Sequence, residues 1–241
     1  CIFSLYSDWH AGNMPYVEEC LGFEIQKWAY AYNCPNDSAL QNTIFLHYDL
    51  INRSNYTYDN LYAGSFTLFC IGQSVDHNDM YTGCDTVLNS YYGYNDPYDE
   101  SHGYYPFYEE HPPAQGICFL NPKMKTFMGY ELNEYFTNYP FFSDLQKYYH
   151  MQGSWNDTTP FTYGGNGVGG TIPVKHLYPG NPSNPNEWSE VSAGFEPGQR
   201  MGIGSTGPHF ISPNDTLSLD LALVFALDYQ GTNLSSVDLL K

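Results

Sequence analysis

The residues best suited to chemistry lie in the run Asp76-His77-Asn78-Asp79-Met80-Tyr81-Thr82-Gly83-Cys84-Asp85. Calcium takes six to eight oxygen ligands, and a short stretch rich in Asp and Asn supplies several from one segment. Asp76, Asn78, Asp79 and Asp85 are therefore the candidate calcium ligands, although the run lacks the sixth-place glycine and closing glutamate of an EF-hand. Eight histidines are scattered, and none stands in an HExxH pair, which argues against a zinc protease. Gly202-Ile203-Gly204-Ser205-Thr206-Gly207 puts Ile203 where a nucleophile elbow requires glycine. Gly165-Asn166-Gly167-Val168-Gly169-Gly170 has no following Lys-Ser/Thr, so it reads as a turn and not a phosphate loop. Adjacent acids such as Glu109-Glu110 would face opposite sides of a strand and make a poor glycosidase pair. No complete catalytic set is present in the pattern, and the chain reads as a non-enzyme.

Binding chemistry is better represented. The chain has 24 Tyr and 15 Phe, and aromatic rings either pack on strands or stack on sugars. Tyr91, Tyr92, Tyr94, Tyr104, Tyr105 and Tyr108 cluster between Gly72 and Gly116, which makes that region the candidate contact surface. Against 26 acidic residues stand only 8 basic ones, a formal net charge of −18. Phosphate recognition needs clustered Lys and Arg, so nucleic acid and anionic membrane surfaces are poor partners. Cys1, Cys20, Cys34, Cys70, Cys84 and Cys118 form no CxxC pair. Six widely spaced cysteines beside few lysines suit an oxidising compartment with up to three disulfides, in any of fifteen pairings.

These groups must be held by strands. Phe23, Ile25, Lys27, Ala29 and Ala31 alternate with Glu24, Gln26, Trp28, Tyr30 and Tyr32. Ile44, Leu46, Tyr48 and Leu50 alternate with Phe45, His47 and Asp49, and 61–72 is a third such run. Leu217, Leu219, Leu221, Leu223, Phe225 and Leu227 occupy every second position, a period only a strand turns to one face. Two short helices are predicted, over about 143–151 with Ser143 as N-cap and over 233–240. The segments 72–116 and 164–213, dense in Gly, Asn, Asp and Pro, read as long loops. With no internal repeat and no linker, residues 1–241 read as a single mainly β domain, an antiparallel β-sandwich of jelly-roll character with long loop insertions. A body of this length can bury roughly 70% of its unfolded surface. The chain shows no run of about 18 apolar residues, no signal peptide and no initiator Met, as in a mature or trimmed piece.

Several stretches in series resemble secreted and cell-surface Bacteroidota proteins exported by the type IX secretion system, in the β-rich region upstream of the sorting domain. They are Gly22-Phe23-Glu24-Ile25, Tyr48-Asp49-Leu50-Ile51-Asn52-Arg53-Ser54, Leu61-Tyr62-Ala63-Gly64, Tyr81-Thr82-Gly83-Cys84-Asp85, Pro112-Pro113-Ala114-Gln115-Gly116, 159–167 and 205–216. Where that family tends to carry acids after the Leu61–Gly64 strand, this chain has Leu68 and Cys70. The resemblance implies an extracellular or outer-surface location and a sandwich fold, without an enzymatic activity. Ser38, Thr86, Thr158 and Thr216, each following Asp, are similar to the O-glycosylation sites of such exported proteins. The expectation is a non-catalytic extracellular module, adhesive or structural, as in a fibre or surface layer. Its expected partners are other surface or matrix proteins, further copies of itself, or polysaccharide. A carbohydrate-binding module is the alternative, and a secreted hydrolase a more distant one.

Overall fold

The computed structural model describes residues 1–8, 20–72, 79–99, 108–131 and 143–241. The described strands are β1 (Ile2–Ser7), β2 (Phe23–Ala31), β3 (Thr43–Asn52), β4 (Tyr58–Leu68), β5 (Met80–Asp85), β6 (Ser90–Asn95), β7 (Ala114–Asn121), β8 (Thr126–Glu131), β9 (Arg200–Ile211) and β10 (Thr216–Ala226). The helices are α1 (Ser38–Gln41), α2 (Asp144–Met151) and α3 (Asn233–Leu240). The strands form a seven-stranded antiparallel sheet, ordered β1-β2-β3-β10-β7-β6-β5, facing a three-stranded antiparallel sheet, β4-β9-β8. The architecture is thus mainly β and consistent with a β-sandwich.

Alternation decides which side chains enter the core. Leu46, Leu219 and Leu221 point between the sheets and meet Phe69, Met80, Tyr91, Ile117, Phe119 and Phe127. Tyr91 lies across the gap: its ring stacks on Phe127 at 5.1 Å, and its hydroxyl donates to the Ser65 carbonyl at 2.9 Å. Gly202 and Gly204 leave room for that ring; a Cβ on Gly204 would lie 2.5 Å from the Tyr91 ring. The run 202–207, placed by the sequence pattern in a long loop, is therefore the centre of β9, where glycine permits close approach of the facing sheet.

Two further layers cover the sandwich. Met128, Tyr130, Met201 and Ile203 on the far side of the small sheet pack against Trp155, Phe161, Leu177 and Trp188 of the irregular segment 153–196. Trp155 and Trp188 donate their indole N–H groups to the carbonyls of Gly167 and Gly165, which fixes the glycine-rich turns. On the outer face of the large sheet, Val237, Leu234 and Leu240 of α3 cover Tyr92, Tyr94 and Ala114. Thr232 begins α3 with a reciprocal capping box to Ser235, and Ser143 caps α2.

The loop expectations need correction. The stretch 72–116 contains the β5–β6 hairpin and the start of β7, and 164–213 contains all of β9. Tyrosine- and glycine-rich strands lack the aliphatic alternation that marks β10, so residues typical of turns dominate their sequences. No helix among the described residues is long and apolar enough to cross a membrane.

The irregular layer is held to both sheets by buried charge. Arg200, 1% exposed, is 2.8 Å from Glu190, itself 2% exposed, and 3.1 Å from Glu131. Thr82 of β5 donates its hydroxyl to Glu190. Removing one member of such a set leaves an uncompensated buried charge, at a cost of about 3–5 kcal/mol. Arg200→Ala is expected to lower the urea midpoint accordingly with an unchanged m-value, and a loss below about 1 kcal/mol would show the set to be dispensable.

Candidate contact surface

The predicted site residues do not form one site. Asp76, Asn78, Tyr104 and Tyr105 lie outside the described residues. Asp79 directly precedes β5 and Asp85 ends it, about 20 Å apart at about 3.4 Å per residue, and they do not share one ion. Asp79 accepts a hydrogen bond from the Asn95 side chain at 2.6 Å. Asp85 instead accepts from the backbone N–H groups of Val87 and Leu88 in the hairpin turn. Among the described residues, no group of three or more His, Cys, Asp or Glu is placed to hold a metal ion.

Tyr91, Tyr92 and Tyr94 are buried, not exposed. Neighbouring strand residues face opposite sides, so Tyr91 enters the main core while Tyr92 and Tyr94 pack beneath α3. Burial pushes the Tyr91 phenol up to about 12, against smaller lowering by its bonds to Ser65 and Thr67, and raises Tyr92 and Tyr94 as well. Tyr108 lies at the surface, its backbone N–H donating to Asp99.

The structure joins none of the six cysteines in a disulfide, so the disulfide expectation finds no support here. Cys84 and Cys118 lie on β5 and β7 with β6 between them, about 10 Å apart at two strand spacings and beyond disulfide reach. Cys84 donates to the Leu177 carbonyl in the core, and Cys118 donates to that of Leu88. Cys1 and Cys20 lie beyond opposite ends of β1, given its register with β2. The hydroxyls of Ser38, Thr86, Thr158 and Thr216 are all exposed. The preceding acids have turn duties of their own: Asp37 caps α1, and Asp157 and Asp215 accept nearby backbone N–H groups.

The surface on which functional groups do gather is the other half of the large sheet's outer face. There, among the described residues, α3 reaches β10 but does not extend over β1, β2 and β3. Their register aligns Phe3, Trp28, His47 and Asp220 in one cross-strand row. Trp28 packs 5.1 Å from Phe3 and 5.2 Å from the His47 ring. In the next row Tyr30 stacks on Phe45 at 5.5 Å, and Tyr32 meets both edge-on. The row on the other side holds Gln26, Asp49 and Ser218. Beyond it, Glu24 binds Gln26 and Arg53.

At the centre, the His47 ring lies between two carboxylates, with Nδ1 2.6 Å from Asp220 and Nε2 3.4 Å from Asp49. The hydrogen bond to Asp220 raises the His47 pKa; partial burial opposes this, and the charges of Asp220 and Asp49 add to the rise. Ser218 donates to Asp49 at 2.6 Å, so its hydroxyl is turned toward an acid and away from the imidazole. A nucleophile requires contact with its base, and a glycosidase requires a carboxyl pair free to flank a bond. This row offers neither arrangement. Its chemistry suits contact: aromatic area bordered by hydrogen-bonding acids and amides. The alternation around Trp28 and His47 is visible in the sequence, but only the register brings Asp220 beside His47, 173 residues away.

Comparison with protein-family models returns no match, and comparison with curated proteins returns none either.

A raised folded-state pKa means that His47 stabilises the fold fully below its unfolded value of about 6.5. That contribution is lost as pH rises through the folded value. NMR titration is expected to place the His47 midpoint above 6.5, and to return it toward 6.5 in Asp220→Asn. A midpoint at or below 6.5 in the unaltered protein would remove the Asp220 pairing.

Proposed function

We propose that the chain is a non-catalytic extracellular module, adhesive or structural, whose contact surface is the open outer face of β1, β2, β3 and β10. The observation that carries this reading is the partly exposed aromatic row Phe3–Trp28–His47 with its neighbours Tyr30, Tyr32 and Phe45. Phe3, Leu5 and Tyr32 are each more than half exposed on this half of the large sheet. Clustered apolar exposure of this kind marks a contact site, whereas scattered exposed residues do not. The extracellular setting rests on the acid-rich composition and on the resemblance to exported Bacteroidota surface proteins. The exposed Asp-Ser/Thr hydroxyls are compatible with glycosylation there. A protein partner fits best, because Tyr30 and Phe45 turn their ring faces to one another, leaving less ring face free for sugars.

Polysaccharide is the second reading. It is favoured by the side chains of Glu24, Gln26 and Asp49, which lie beside Trp28 and can bond sugar hydroxyls. Pull-down against a panel of matrix proteins and polysaccharides is expected to retain the chain. The Trp28→Ala/Tyr30→Ala double variant is expected to weaken retention at least tenfold while keeping a folded circular-dichroism spectrum. Retention untouched by these substitutions would move the contact surface elsewhere. Turnover of a peptide or polysaccharide library, abolished by His47→Ala, would replace the module with an enzyme.

A further inference from the structure

The aromatic row on the outer face of the large sheet is bordered by an uneven set of charges. β1 contains no charged side chain. At the outward positions of β2, β3 and β10, the ionisable side chains beside His47 are Glu24, Asp49 and Asp220. Glu24 is 3.1 Å from Arg53, which cancels that corner. Lys27 serves none of the others, because it faces inward with its ammonium 5.5 Å over the Tyr48 ring. Among the described residues, the side chain of positive charge that Asp49 and Asp220 meet is the imidazole between them.

The two acids are diagonal neighbours. Asp220 faces His47 in the register, and Asp49 lies two residues farther along β3, a relation that spans about 7–8 Å. Trp28 faces His47 from β2 and so has the same diagonal relation to Asp49. The Asp49 side chain is 25% exposed and that of Asp220 34%, so both stand at the boundary of protein and water. Attraction there is stronger than between fully solvated charges. When the imidazole is neutral, the two carboxylates repel one another across adjacent strands. A cation supplied from outside relieves that repulsion.

We propose that this face docks an extended, arginine-bearing segment of another protein, with guanidinium groups packed on Trp28 and paired with Asp49 and Asp220. The proposal rests on the reading of this face as the contact surface and names the chemistry of its partner. Charge complementarity selects a cation. With 26 acidic residues against 8 basic ones, the chain attracts a basic partner at long range and repels an acidic one. The aromatic neighbours select arginine over lysine. A planar guanidinium stacks on an indole and also grips carboxylates as a fork, whereas an ammonium is compact and strongly hydrated. Dimensions select an extended segment. From β1 to β10 the face is three strand spacings wide, about 14 Å, or about four residues of extended chain. In such a chain every second side chain points to the sheet, about 7 Å from the last, close to the diagonal spacing of Asp49 and Asp220. Phe3 and Leu5, each more than half exposed, offer apolar contact to the remainder of the segment.

The imidazole makes this docking sensitive to pH. His47 is faced by Asp220 from β10, by Asp49 on its own strand and by the uncharged Trp28 from β2, while Glu24 farther along β2 is held by Arg53. A proton on His47 and a guest guanidinium compete for the same two carboxylates. The hydrogen bond to Asp220 holds the His47 pKa above its usual value. Below that raised value the charged imidazole occupies the acids, and above it they are released to a partner. Docking therefore tightens as pH rises, and a bound partner lowers the His47 midpoint.

Isothermal titration calorimetry of the full chain in about 0.15 M salt tests this with a capped heptapeptide of alternating serine and arginine. The peptide is expected to bind, its lysine counterpart about threefold more weakly or worse, and its glutamate counterpart not at all. Asp49→Asn and Asp220→Asn keep the hydrogen-bond acceptors of the native acids, and each is expected to weaken binding about fivefold. Trp28→Ala is expected to weaken it about tenfold. Asp144→Asn removes one charge from α2, where that side chain is 98% exposed and lies on the small-sheet side of the molecule. It is expected to change the affinity by less than about twofold. Affinity is expected to rise several-fold between about one pH unit below the His47 midpoint and one above it, and to stay level in His47→Gln. Absence of arginine-peptide binding overturns the proposal, as does equal binding of the lysine peptide, an equal loss in Asp144→Asn and Asp49→Asn, or an affinity indifferent to pH. The contact-face reading is decided separately. Retention of a polysaccharide or matrix protein that is lost in Trp28→Ala/Tyr30→Ala, without binding of the arginine peptide, overturns this proposal and leaves that reading standing.

Discussion

The arrangement depends on one ring spanning the space between the sheets. Tyr91 is fully buried, stacks on Phe127, and bonds the Ser65 carbonyl and the Thr67 hydroxyl of β4. A ring that both packs and hydrogen-bonds across the gap fixes the spacing and the lateral position of the small sheet together. Gly202 and Gly204 are needed for the same reason, because the β9 backbone must come close to the ring. The small sheet is thereby anchored over the β6 side of the large one, and the opposite side is left with less above it.

That offset accounts for the distribution of exposed apolar surface. α3 covers the outer face of β5, β6 and β7, and segment 153–196 covers the small sheet. Among the described residues, neither covering extends over β1, β2 and β3. Their outer face carries a self-packed aromatic ladder with a central imidazole between two acids. Their inner face carries aliphatic side chains that no described element fully encloses. The two faces therefore differ in chemistry, one aromatic and hydrogen-bonding, the other aliphatic.

The buried ionic set makes a separate contribution. Arg200, Glu190 and Glu131 join β9, the irregular layer and β8, and Thr82 adds β5. A segment as long as 153–196 with no regular secondary structure has few backbone ladders to hold it, so side-chain bonds and the two indole N–H groups take that role. The geometry of a charged network specifies one docking of that layer, where apolar packing alone would tolerate several.

Much of the frame was legible in the residue pattern. The strict alternation of Leu217 to Phe225 identified β10, that of Phe23 to Ala31 identified β2, and Ser143 and the 233–240 run marked α2 and α3. Alternation is local, and a strand's period of two is written into its own residues. The hairpin β5–β6 and strand β9 were not legible, because their glycines and tyrosines answer to rings on the facing sheet and not to local turn preference. The contact surface was hidden for a related reason. Sequence pointed to Tyr91, Tyr92 and Tyr94, which tertiary packing buries, and gave no sign that Asp220 would stand 2.6 Å from His47. The sequence by itself determined that this protein is acidic, aromatic and built of antiparallel strands. Which aromatics reach solvent, and which distant acid meets which imidazole, depended on sheet order, register and the lateral offset between sheets. Those are properties of contacts between segments, and no single segment encodes them.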